Sequence, residues 1–161
     1  ETMKLSKATL WLKGVLVFSA VMLAFVVLGG IPGYLRHVFF VRPDLMGWDY
    51  WMRGYGVLLA LPVWAALALL WRVFDTIPQN NGFTMDNVRR FVRMRQLAMA
   101  DLALVAVLGV FLISNGIMPV FLMGSLMLAL FVGIVAVIVF HVLAGLVRNA
   151  AELKQDSDMT I

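Results

Sequence analysis

The chain contains no cysteine, and only 14% of its 161 residues are charged. The first absence excludes a disulfide scaffold, a thiolate metal site and a cysteine nucleophile together. The second stands beside a hydrophobic content of 63%. An ordinary water-soluble domain carries about 25% charged and about 45–50% apolar residues. A globule of this length still leaves a large surface in contact with solvent, so the apolar excess must face lipid. Histidine is scarce too: His37 and His141 lie far apart, with no spaced carboxylate partners, and make no metal set. A phosphate-cradling Gly-Lys loop, a nucleophile elbow and an H-E-x-x-H motif are all missing. No catalytic, cofactor-binding or metal residue is therefore assigned, and a non-enzymatic role is expected. A net charge of +4 is too small to predict direct nucleic-acid binding.

What the chain does have is long uncharged runs. Gly14–Leu35 is 22 residues without Asp, Glu, Lys or Arg, Gly54–Trp71 is 18, and Leu102–Val147 is 46. A bilayer crossing takes about 20 apolar residues, so the last run holds two crossings. Ser114-Asn115-Gly116 and Pro119 supply the turn formers between them. The expected fold is an all-α membrane protein, a single domain of four transmembrane helices over residues 11–31, 55–73, 97–117 and 120–147. An outer loop (32–53), an inner loop (74–96) and a tail (148–161) complete it. The first run exceeds a signal-peptide core of 7–15 residues. Gly29-Gly30-Ile31-Pro32 is also no Ala-x-Ala cleavage site, so a retained span is expected. Ten of the thirteen basic residues flank the side of the termini and the inner loop; Arg36, Arg42 and Arg53 lie on the other. The positive-inside rule then places both termini in the cytoplasm.

The segments between spans carry the polar and aromatic residues. The outer loop holds Tyr34, Phe39, Phe40, Trp48, Tyr50 and Trp51, with Tyr55 just after it. Rings of this kind settle at the membrane–water boundary. The loop is expected to lie along the outer leaflet, with a short helix around Leu35–Val41; a binding surface for a peptide or lipid is the alternative. In the inner loop, Thr84 is placed to cap a helix whose first turn contains Asp86. That helix presents Arg89, Arg90, Arg93 and Arg95, either to anionic membrane lipid or to an acidic partner. Pro62 frees the Leu58 carbonyl inside the second span and predicts a kink.

Ser125, Ala129 and Gly133 recur at four-residue steps on the fourth span and form a candidate packing ridge, within the chain or between copies in a homo-oligomer. Asp101 and His141 are the ionisable residues inside spans, candidates for a structural pair or for a proton or ligand site. Folding the hairpin about residue 117 leaves them eight residues out of register, about 12 Å, so they are not expected to pair with each other.

Two stretches resemble an uncharacterised bacterial four-span membrane family, domain of unknown function 2975. In Gly82–Met94, the residues Phe83, Thr84, Asn87, Val88 and Arg90 match a Phe-Thr-x-Glu-Asn-Val-x-Arg-Leu pattern, with Asp86 in place of Glu and Phe91 in place of Leu. In Leu146–Ile161, the residues Arg148, Glu152, Leu153, Asp158, Thr160 and Ile161 match the closing pattern, with Met159 in place of Leu. The resemblance implies a multi-pass protein of the bacterial inner membrane. It also implies a cytoplasmic partner, a small helix-turn-helix DNA-binding regulator. On that reading the acidic tail (Glu152, Asp156, Asp158 and the terminal Ile161) folds onto Arg89–Arg95, or forms a docking face with it. The expected function is a membrane anchor or sensor; a small transport or immunity-type membrane protein is the alternative.

Overall fold

A computed structural model describes residues 2–117 and 119–160. It is 91% helical, with no strand among the described residues. The elements are α1 (Thr2–Phe25), a π-helical turn (Val26–Gly30), α2 (Ile31–Val41), a 3₁₀ helix (Pro43–Trp48), α3 (Asp49–Thr76), α4 (Met85–Ser114) and α5 (Val120–Met159). Four helical stretches are long and apolar enough to cross a bilayer: 3–41, 43–76, 85–114 and 120–159.

The stretch expected to be an outer loop with a short helix around Leu35–Val41 has that helix, α2, and is helical almost throughout. Pro32 has no amide hydrogen to donate, and its ring would strike the carbonyl four residues back. The chain answers with one wide turn, in which the Ile31 amide bonds to the Val26 carbonyl and the helix carries on as α2. Leu35, Val38 and Phe39 share one face of α2 and are buried with Leu45, Leu112 and Ile117. The segment is therefore packed onto the turn end of the α4–α5 hairpin. Its aromatic residues Phe40, Tyr50 and Trp51 are exposed.

The spans stand in an open row. The backbone of α5 approaches α4, α4 approaches α3 and α3 approaches α1; no Cα of α1 comes within 8 Å of α4 or α5 among the described residues. In α5, the sheltered positions include Leu126, Leu130, Gly133, Val137, Phe140, Ala144, Val147 and Ala151. This alternation of four- and three-residue steps is the spacing of a helix-pairing seam. The outward face of α5 (Phe121, Leu128, Phe131, Val135, Ile138, Val142) is exposed in the isolated chain and is left for lipid.

Both turns at the ends of α4 are built on a left-handed residue. Gly116 has φ +65°, its amide bonds to the Ile113 carbonyl at 3.1 Å, and the Ile117 amide reaches Leu112 at 2.9 Å. The apolar contact that accompanies this type of cap is supplied by Leu112 and Ile117, both buried. Asn80, at φ 56°, closes α3 in the same way, with Asn80 bonding back to Ile77 and Asn81 to Thr76.

Of the small-residue ridge, Gly133 alone receives a neighbour: a Cβ placed there would lie 2.6 Å from Leu102 Cδ2 of α4. Ser125 and Ala129 are exposed, and the Ser125 hydroxyl donates to the Phe121 carbonyl of its own helix. Gly133→Val is expected to force α4 and α5 apart and to cost about 1–3 kcal/mol. Gly124→Val, into open space, is the control. Thermal unfolding of the detergent-solubilised protein, followed by circular dichroism, checks the pair; equal melting of both variants would contradict the packing assigned to Gly133.

Candidate functional site

The charged end of the molecule is organised around Asn87. Its side chain is fully buried, at 0% exposure, in the first turns of α4, where asparagine is a poor helix former unless its amide has local work. The amide nitrogen donates to Thr76 Oγ1 at 2.8 Å and to the Gly82 carbonyl at 2.9 Å. The amide oxygen accepts from Arg90 Nη1 at 2.7 Å. One side chain thus ties the end of α3, the loop and the start of α4. Thr84 occupies the N-cap position, but its side chain makes no capping bond; its carbonyl accepts from the Val88 amide at 3.2 Å. Beneath this latch Val73, Val88, Phe91, Met94, Ala144 and Val147 are buried as one cluster joining α3, α4 and α5.

The four arginines near the start of α4 have four different situations. Arg89 is exposed and 3.7 Å from Asp86. Arg90 is spent on Asn87. Arg95 Nη1 lies 2.7 Å from His141 Nδ1; since a guanidinium only donates, that ring nitrogen is the acceptor. Arg93 has no hydrogen-bond or ion-pair partner among the described residues, and neither has the guanidinium of Arg72 on α3. These two line one open groove with Ala65, Ala68, Leu69, Gln96 and Leu97. Nearby, Lys13 of α1 pairs with Asp75 and sits 4.9 Å above the Trp71 ring, which fastens the first helix to the end of α3.

Asp101 and His141 are not brought together. His141 meets Arg95, six residues before Asp101 in α4. Asp101 pairs with no arginine, and its buried Oδ1 has no hydrogen-bond partner among the described residues. Between α3 and α4, Tyr55 donates to the Leu104 carbonyl at 2.5 Å. At the opposite end of the molecule Arg42 donates to Asp44 at 2.8 Å.

The tail does not fold back. The Arg95–His141 contact sets the register: Met85, the first residue of α4, is ten residues before Arg95, and Ala151, the last buried residue of α5, is ten after His141. Beyond Ala151 the helix continues to Met159 with every residue exposed, projecting about 12 Å past the start of α4. No ion pair joins Glu152, Asp156 or Asp158 to Arg89–Arg95 among the described residues, and Ile161 lies outside them. The extra length of α5 carries the acids clear of the arginines, which is why opposite charge on the same side does not close the tail onto the basic segment.

Asn87 was legible in the sequence as a motif residue but not as a structural one; its place three residues after a helix-capping position was the available signal. Arg72 and Gln96 were missed, because neither belongs to a run of charge. Asn87→Ala is expected to destabilise the detergent-solubilised protein by about 1–3 kcal/mol, since it removes the partner of the Thr76 hydroxyl on α3 and of the Gly82 carbonyl, and leaves Arg90 only its longer bond to the Arg72 carbonyl. Arg93→Ala, on an exposed side chain, is expected to leave unfolding unchanged. Thermal melts of both variants check this, and an unaffected Asn87→Ala would remove the latch from the account.

No curated protein and no solved structure matches the chain. A family model described as "Protein of unknown function (DUF2975)" matches residues 10–161, which includes the Asn87 latch, the Arg72–Arg93 groove and the projecting tail. The chain belongs to that family of proteins of unknown function.

Proposed function

We propose that this protein is a non-enzymatic membrane anchor or sensor of the bacterial inner membrane, with both termini cytoplasmic, that holds a cytoplasmic regulator at its charged end. The observation that carries this reading is the end of α5. Residues 152–159 form an exposed helical projection that contributes nothing to the packing of the spans. It bears Glu152, Asp156 and Asp158 beside Leu153 and Met159, which are 70% and 81% exposed. A fold alone does not require such an element, and an acidic helix with apolar anchors is a form that partner grooves accept. The partner that fits is a small basic DNA-binding protein, in keeping with the helix-turn-helix regulator that the family resemblance implies. Direct contact of this chain with nucleic acid is not part of the proposal.

A tagged full-length protein, extracted from its own membranes in mild detergent, is expected to bring down a small DNA-binding protein. A variant lacking residues 156–161 is expected to lose it while remaining helical. Equal recovery with both, or no cytoplasmic partner with either, would contradict the docking role.

A transport or immunity-type role is the second reading, supported by one observation, the unpartnered buried oxygen of Asp101 at membrane depth. On that reading Asp101→Asn abolishes proton or solute flux in proteoliposomes, whereas unchanged flux and an unchanged cellular phenotype would remove it.

A further inference from the structure

Two free guanidiniums, Arg72 and Arg93, line one apolar trough, and Arg72 also borders a second; the combination has the form of a lipid site. The first trough, about 520 Å³, runs between α3 and α4, with Ala65, Ala68, Leu69 and Leu97 as its walls and Arg72, Arg93 and Gln96 as its polar members. The second, about 530 Å³, runs between α1 and α3 past Leu16, Val17, Ala20, Trp64, Leu67 and Trp71. Ala68 and Arg72 belong to both. The troughs exist because alanine stands where a larger side chain would fill the space between helices that are only neighbours in a row. Trp64 spends its indole N–H on the Ala20 carbonyl at 3.2 Å, so it offers the second trough only apolar surface. Trp71 and Lys13 mark the level at which headgroups lie. Lys13 also neutralises Asp75 through their ion pair, so no free carboxylate on this end of α3 opposes an anion beside Arg72.

We propose that this face binds one anionic phospholipid of the adjacent leaflet, with its phosphate held between Arg72 and Arg93, Gln96 donating to it, and one acyl chain in each trough. Guanidinium is suited to phosphate because its donors are fixed in a planar fork. Basic pockets between spans are a recognised form of headgroup site. The troughs argue for a lipid over a soluble anion, which has no use for apolar walls. They also argue against an acidic protein segment, which would have to leave water to enter them. The site neither requires nor excludes a regulator on the projecting tail, so its test is separate from the pulldown.

The test is native mass spectrometry of the delipidated full-length protein, titrated with phosphatidylglycerol and with phosphatidylcholine of the same chains. Phosphatidylglycerol is expected to bind at least about tenfold more tightly, and Arg72→Gln and Arg93→Gln to weaken it about fivefold each. Arg89→Gln removes the same charge from the same helical end but lies outside the groove, and is expected to leave binding unchanged. Equal weakening by Arg89→Gln would reduce the effect to diffuse charge and overturn the site. So would equal affinity for phosphatidylcholine, and so would competition by glycerol phosphate as effective as that of the intact lipid, which would make it a free-anion site. Circular dichroism confirms helicity for each variant. If Arg72→Gln does not fold, Arg93→Gln decides alone, because the Arg93 side chain holds nothing else in place.

Discussion

Everything at the charged end depends on Asn87 being satisfied. The spans form an open row, so no fourth contact closes the array and corrects an error in the placing of α3 against α4. Between those helices the chain has only eight residues, 77–84, in which to turn. A fully buried amide without partners would cost as much as the turn gains. Asn87 instead meets Thr76, Gly82 and Arg90 together, so the register of α3 and α4 is the one register in which this side chain is paired. The position of Arg93 beside Arg72, and hence the groove, follows from that register.

The open row also explains why so much apolar surface is exposed in the isolated chain. α4 is sheltered on two faces, by α3 and by α5, and contributes buried residues along its whole length from Asn87 to Leu112. α1 and α5 stand at the edges and present Trp11, Phe18, Phe25, Phe121 and Phe131 outward. In a bilayer that surface carries no penalty. What holds an edge helix in lipid is close packing and polar contact. The Gly133–Leu102 seam serves this purpose for α5. For α1 it is the pair of contacts at its two levels, Lys13 with Asp75 and Trp71, and Ala20 with Trp64.

The four apolar runs, the turn at Ser114–Pro119 and the helix beginning after Thr84 were all legible in the sequence, because each rests on local chemistry: run length, a residue that tolerates positive φ, and a capping position. The short helix around Leu35–Val41 was legible as well, but not the burial of the segment that carries it. Its Leu35, Val38 and Phe39 have helical spacing, but their partners Leu112 and Ile117 are more than seventy residues away, and its dense aromatic content points first to a membrane surface. The arginine run misled in another way. Sequence reading treats Arg89, Arg90, Arg93 and Arg95 as one charge patch, whereas helix geometry turns each in a different direction. One is spent on Asn87, one on His141 and one lies beside Asp86, and the remaining Arg93 finds Arg72 from another span. Likewise, attraction between the acidic tail and the basic segment is a sound argument until α5 proves too long to allow it.

The proposed function places the Asn87-latched end, with its groove and its projecting helix, on the cytoplasmic face of the protein, and this is its central claim. The chain has no native cysteine, so a single Gln79→Cys, on the exposed turn beside the latch, gives a clean reporter. In intact cells a membrane-impermeant thiol reagent is expected to leave it unmodified and to label it fully once the membrane is permeabilised. Labelling from outside in intact cells would invert the orientation and contradict the account.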